Sequence, residues 1–207
     1  GSMHGILDTV KSNALKFYDD LNEALNKKSK SVEELRVKTI AFRDLYVDGG
    51  DAIESTNFFT FPSEQPDFSS FVNSLVPKGG GDEPENGLEA LALAINSDWN
   101  KEGSKRRQIV IMWTDASAHQ LEKKSGSTFS QISVELPSSF DEITDWWEGQ
   151  GNMIANAKRL IVFAPDAYPW TDIANHWENA IHYPSKAGKG LEELDYSTIL
   201  DAIANSV

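Results

Sequence analysis

Gln108-Ile-Val-Ile-Met-Trp113 is followed directly by Thr114-Asp115-Ala116. After its first residue the run is wholly apolar. A strand that is apolar throughout, instead of alternating, is what a parallel sheet covered on both faces requires. A second run of this kind, Leu160-Ile-Val-Phe163, is stopped by Pro165, and 180–183 read as a further short strand. Helical patterns lie between and around these runs. Apolar residues Ile6, Val10, Ala14, Phe17, Leu21 and Leu25 recur at intervals of three and four, which is one face of an amphipathic helix. The bases between Lys27 and Lys30 end it where the helix dipole favours cations.

The segment 35–42 (LRVKTIAF) reads as a strand, 48–51 (DGGD) as a turn and 57–61 (NFFTF) as a second strand, so 35–42 leads into a near-hairpin. A short helix over 66–75 places Phe68, Phe71, Val72 and Leu75 toward the core. Lys78-Gly-Gly-Gly81 connects to a strong helix beginning near Pro84, with Asp82 as its N-cap and Leu88, Leu91, Ala92 and Ile95 as its buried face. Residues 115–137 are rich in Ser and Thr and read as loop. Helices are predicted over 140–148, in a short stretch between the strands at 160–163 and 180–183, and over 196–207 with Asp195 as N-cap. Strands alternating with helices predict one α/β domain over 1–207 with a doubly wound sheet.

Composition narrows the function. The 207 residues include no cysteine, which removes thiolate metal sites, disulfides and cysteine nucleophiles. The net charge of −13 argues against a nucleic-acid footprint. With no apolar run near the roughly 20 residues of a membrane span, a cytoplasmic protein is the expectation. Acid is unevenly placed: residues 1–40 carry seven bases and six acids, 41–136 eight and fifteen, and 137–207 four and eleven.

Open parallel sheets bind ligands beyond the carboxyl ends of their strands. Arg43 and Asp44 follow the strand 35–42, Asp115 follows 108–114, Asp166 follows 160–163, and Asp82 stands at a helix start. Acids gathered on one sheet edge suit a hard cation, which prefers oxygen ligands. Each also has a structural use: Asp82 as a helix cap, Asp115 as a turn cap, Asp44 as a partner for Arg43.

Two strings carry a resemblance: Gly79-Gly-Gly-Asp-Glu-Pro-Glu-Asn-Gly-Leu-Glu-Ala-Leu91 and Ile109-Val-Ile-Met-Trp-Thr-Asp-Ala116. Together they resemble a von Willebrand factor type A (vWA) domain, in which a Gly-Gly loop opens a helix and the next strand ends in Thr-Asp-Gly or Thr-Asp-Ala. The similarity continues through Arg159-Leu-Ile-Val-Phe-Ala-Pro-Asp166 and Pro184-Ser-Lys-Ala-Gly-Lys-Gly190, and so covers nearly the whole sequence. The nearest branch is the stand-alone bacterial type associated with tellurium resistance and stress response.

The resemblance implies a Rossmann-like sheet, mostly parallel with one short antiparallel edge strand and helices on both faces. The family's first, central strand is absent from this sequence. It also implies a metal-ion-dependent adhesion site holding Mg²⁺, or Mn²⁺ or Ca²⁺, with Ser2, Asp82 and Asp115 as ligands and Asp44, Arg43, Glu85 and His119 at its rim. Asp82 stands where the family has Thr. Gly1-Ser2-Met3 also has the form of an expression-tag remnant, but its spacing to the following helix matches the family's first loop, whose earlier Asp and Ser would precede Gly1. The implied function is a metal-dependent protein-binding module that recognises an acidic group on a protein partner.

Two rivals stand beside it. A Mg²⁺-dependent phosphohydrolase with Asp115 as nucleophile needs a second carboxylate two residues on, and that position is Ser117. The expectation is therefore a non-enzyme. The other rival is a scaffold with a non-functional metal site. Lys186-Ala-Gly-Lys-Gly190 lacks the Ser or Thr of a phosphate loop and reads as a surface turn. His4, His119, His176 and His182 have no metal-ligand spacing, and Trp146, Trp147, Trp170 and Trp177 are assigned to packing.

Overall fold

The computed structural model describes residues 4–76, 84–122, 129–130, 132–185 and 196–207. In chain order the elements are α1 (His4–Lys27), β1 (Leu35–Val37), β2 (Ile40–Phe42), α2 (Leu45–Asp48), a single 3₁₀ turn (Gly49–Ala52), β3 (Ile53–Ser55) and β4 (Phe59–Phe61). Then come α3 (Gln65–Ser74), α4 (Gly87–Ile95), β5 (Gln108–Trp113), α5 (Phe140–Asp145) with a wider turn (Trp146–Gln150), β6 (Lys158–Pro165), α6 (Trp170–His176), β7 (Ala180–Ser185) and α7 (Tyr196–Ser206).

β5, β6 and β7 form a parallel sheet in that order, with Val110 beside Leu160 and Leu160 beside Ala180. On one face Val110 and Met112 join Leu88, Leu91 and Ile95 of α4, Ile143 of α5, and Trp170 and Ile173 of α6. On the other, Ile109, Ile111 and Trp113 pack with Leu21 and Leu25 of α1 and Ile199 and Ile203 of α7. The expected mixed α/β character and the buried parallel strands are present. All four tryptophans assigned to packing are buried or half-buried. Trp147, Trp170 and Trp177 are each at most 3% exposed, and the rings of Trp147 and Trp177 stack at 5.3 Å.

The segment 35–42 is not one strand of this sheet. It is broken into β1 and β2, which pair antiparallel with β4 and β3 in two separate two-stranded sheets. Between the pairs Val37–Phe59 and Ile40–Ser55 the first strand advances three residues and the second retreats four, so one extra residue is accommodated as a bulge. Thr56 closes the break, its amide donating to the Thr39 carbonyl at 3.0 Å and its Oγ1 accepting from the Thr39 amide at 3.1 Å. The near-hairpin is thus real, and it carries a strand at 53–55 that the sequence pattern does not announce.

Other boundaries moved for local reasons. α4 starts at Gly87 with Asn86 before it, not near Pro84. Helix α5 ends at Asp145, and the chain widens into the turn 146–150, where Gly149 takes φ 146°, a conformation that favours glycine. Asp195, the expected cap of α7, lies outside the described residues. Lys158, at the amino edge of β6, donates its ammonium to the Trp147 carbonyl and lies 4.7 Å from that ring's centroid. Burial holds its pKa below the usual lysine value, partly countered by Glu148 and Glu178.

At Gly87, α4 lies close against Trp170 and Met112. A Cβ there would stand 2.9 Å from the Trp170 ring and 3.0 Å from the Met112 methyl. Trp170 is fully buried and has nowhere to retreat. Gly87→Ala is therefore expected to destabilise the protein by about 1–3 kcal/mol, read as a lower urea midpoint at unchanged m-value.

Candidate functional site

Three connections meet at the carboxyl end of β5: residues 43–45 after β2, 84–87 before α4, and 114–119 after β5. Backbone bonds fasten them pairwise. The Asn86 amide donates to the Arg43 carbonyl at 3.1 Å, the Glu85 amide to the Ser117 carbonyl at 3.0 Å, and the His119 amide back to the Glu85 carbonyl at 2.9 Å. Asn86, fully buried, adds side-chain links: its Oδ1 accepts from the Leu45 amide at 2.7 Å and its Nδ2 donates to Glu89 Oε1 at 2.9 Å. An Asn-Gly pair at the start of an apolar run is the sequence signal for this helix start, and the Asp82-Pro84 reading passed over it.

The turn after β5 is held from two sides. Thr114, buried, donates its amide to the Phe163 carbonyl at 3.0 Å, and its Oγ1 accepts from the Ala116 amide at 3.1 Å. The Trp170 indole donates to the Ala116 carbonyl at 2.9 Å. A buried tryptophan on α6 thereby fixes the position of a turn 54 residues earlier.

Asp115 sits inside this frame. It is 2% exposed, and among the described residues neither carboxylate oxygen has a hydrogen-bond partner. The expected role of Asp115 as a turn cap is therefore not what the structure shows; Thr114 Oγ1 caps the turn instead. Burying a carboxylate's charge without a donor or counter-charge costs several kcal/mol, and its two oxygens can accept hydrogen bonds or bind a cation. This is a fitting ligand for a hard cation, supplied from a strand end whose turn is already rigid.

The rim residues divide. Asp44 is buried and caps α2 by accepting from the Tyr46 amide at 3.0 Å. Its Oδ1 also meets His119 Nε2 at 3.0 Å. The Tyr46 ring packs edge-on against His119 at 4.9 Å. The pairing of Asp44 with Arg43 is not formed. Arg43 turns to the hairpin, where it bonds Glu54 Oε1 at 2.9 Å and the Asp51 carbonyl at 3.1 Å. Asp44 is instead held as the N-cap of α2, in the connection that follows β2. Glu85 contributes through its backbone and bridges to Ala118. Asp166 is exposed beyond β6 and takes no part.

Ser2 and Asp82, the other expected ligands, lie outside the described residues. Among the described residues no group of three or more His, Asp or Glu side chains converges tightly enough to hold a metal ion. Asp115 thus fits as one ligand of such a site and not as the whole of it. Residues that the sequence reading left out are Asn86, Glu89 and Thr114, each buried and polar at this edge. No model of a known protein family matches the chain, and no curated protein does. Among the described residues, no helix is long and apolar enough to cross a membrane.

Because Asn86 joins the loop after β2 to the start of α4, its truncation should loosen the whole edge. Asn86→Ala is expected to cost about 1–3 kcal/mol, since it leaves the Leu45 amide and a Glu89 oxygen without their partner. Chemical denaturation reads the loss, and amide exchange at Leu45 and Tyr46 should accelerate with it.

Proposed function

We propose that the chain is a vWA-type binding module in which Asp115 is one oxygen ligand of a hard divalent cation, Mg²⁺ or in its place Mn²⁺ or Ca²⁺. The observation that carries this reading is the Asp115 carboxylate, 2% exposed and, among the described residues, unpartnered at both oxygens at the carboxyl end of a buried parallel strand. The resemblance of residues 79–91 and 109–116 to the family supports it, as does the order of elements from α4 to α7. On this reading the sheet is the doubly wound vWA sheet, and Ser2 and Asp82 belong to the same site as Asp115.

The cation would supply positive charge with an open coordination position, and a carboxylate of a protein partner would complete it. This chain's own residues do the positioning. Thr114 and Trp170 fix the turn that carries Asp115, and the Asp44–His119 pair holds the neighbouring loop against it. Binding, not catalysis, is the proposed activity: the position two residues beyond Asp115, where a phosphohydrolase of this build carries its general acid, is Ser117.

Millimolar Mg²⁺ or Mn²⁺, at about a hundredfold excess over Kd, is expected to raise Tm by about 5–10 °C, and Asp115→Ala to abolish the shift. In chelator the direction reverses. Asp115→Asn replaces a buried acid that no described residue partners, and should melt higher than the parent by the equivalent of about 1 kcal/mol. A parent protein whose Tm ignores all three cations sinks the reading.

A further inference from the structure

One face of the β1–β4 pair is apolar and the other is basic. Leu35, Val37 and Phe59 pack with Tyr18 of α1 and Phe68 of α3. Side chains alternate along a strand, so Arg36, and Lys38 one residue beyond β1, leave on the opposite side. Both reach the same ring: the Arg36 guanidinium carbon stands 4.7 Å from the centre of Phe58 and the Lys38 ammonium 5.9 Å. Trp99 meets Phe58 edge-on at 5.1 Å, and Asn100 donates its Nδ2 to Glu34 Oε1 at 3.0 Å. These contacts fasten the loop 98–107 beside the pair, and Gln108 closes it by donating Nε2 to the Asn100 carbonyl at 3.1 Å. The loop adds Lys101, Lys105, Arg106 and Arg107.

The two cations on the ring are unpaired. Among the described residues neither Arg36 nor Lys38 forms an ion pair or a side-chain hydrogen bond. The acids nearby are engaged elsewhere: Glu34 holds Asn100, and Glu64 Oε2 accepts from the Thr60 amide. Asp98 acts on Lys38 without pairing with it, and burial holds the lysine's pKa below its usual value. The charge is also out of keeping with the molecule. Residues 34–38 and 98–107 hold six bases and three acids, whereas the rest of the chain holds 13 bases and 29 acids.

A basic face on so acidic a protein favours an anionic partner, and screening beyond about 8 Å at physiological salt lets it act locally. The ring already orders both cations, so little side-chain freedom is lost when an anion takes them. Side chains two residues apart on a strand stand about 6–7 Å from each other, which is also the repeat of alternate carboxylates on an extended peptide. A nucleic-acid duplex, with one charge every ~1.7 Å, would run past the patch onto the acidic remainder; a short peptide stays within it.

We propose that this face is a docking site for an acidic, extended segment of a partner protein, whose alternate carboxylates meet Arg36 and Lys38 over Phe58. The loop 98–107 leads into the amino end of β5, whereas Asp115 follows its carboxyl end, so the site is separate from any cation there.

The probe is acetyl-Glu-Ser-Glu-Ser-Glu-amide, titrated into the 207-residue chain in chelator and followed by backbone amide NMR. Shifts centred on Arg36, Lys38, Phe58 and Trp99 are expected, with Kd rising at least about fivefold between about 50 and about 300 mM salt. Arg36→Gln and Lys38→Gln should each raise Kd about tenfold at unchanged Tm. The peptide with Gln in place of every Glu should not bind. No shifts at millimolar peptide, equal binding of the Gln peptide, or an unchanged Kd in both variants overturns the proposal. Binding that appears only when Mg²⁺ replaces the chelator overturns it too, because the peptide is then at the Asp115 edge. So does a ten-nucleotide single-stranded DNA that produces the same shifts at lower concentration than the peptide.

Discussion

Val110 and Met112 leave β5 on one face, Ile109, Ile111 and Trp113 on the other, and both faces have to be covered. That requirement organises the molecule. α4, α5 and α6 close one side, α1 and α7 the other, and the two ends of the sequence meet beneath the same strand. Lys30 reinforces the closure by donating to the Ala204 carbonyl at 2.9 Å, and the Tyr196 hydroxyl donates to the Asn13 carbonyl at 3.2 Å. Burial among these helices, with Asp20 nearby, raises the pKa of Tyr196 well above the usual tyrosine value, so the phenol stays protonated and keeps donating.

The carboxyl end of β5 inherits its rigidity from that packing. Thr114 continues the ladder to β6, Trp170 reaches from α6 to the Ala116 carbonyl, and Asn86 ties the hairpin's exit to the start of α4. Each of these donors or acceptors is satisfied within the protein. Asp115, between them, has no hydrogen-bond partner among the described residues. On the proposed reading, that carboxylate is the group left to meet a cation.

Much of this was legible in the sequence. The apolar runs at 108–113 and 160–163 became the parallel strands, and the three-and-four spacing of Phe17, Leu21 and Leu25 became the buried face of α1. Asp115 could be singled out because a lone acid directly after a buried strand falls at the sheet edge that binds ligands. The hairpin was legible only in outline. Its bulge at Thr39 and Thr56 depends on register, which no propensity encodes. The partners of Arg43 and Asp44 were not legible at all, because what each meets is set by residues 11 and 75 positions away.

By itself the sequence determined which segments would be buried strands, which helix faces would cover them, and that an acid would stand at the end of the central run. Those features follow from local periodicity, and periodicity is carried residue by residue. The tertiary structure alone decided that Asp115 has no partner among the described residues, that Asn86 stands at the start of α4, and that Trp170 reaches back to the turn after β5. These are properties of what is absent or present across space. A carboxylate is unpaired only with respect to neighbours that the chain brings together by folding.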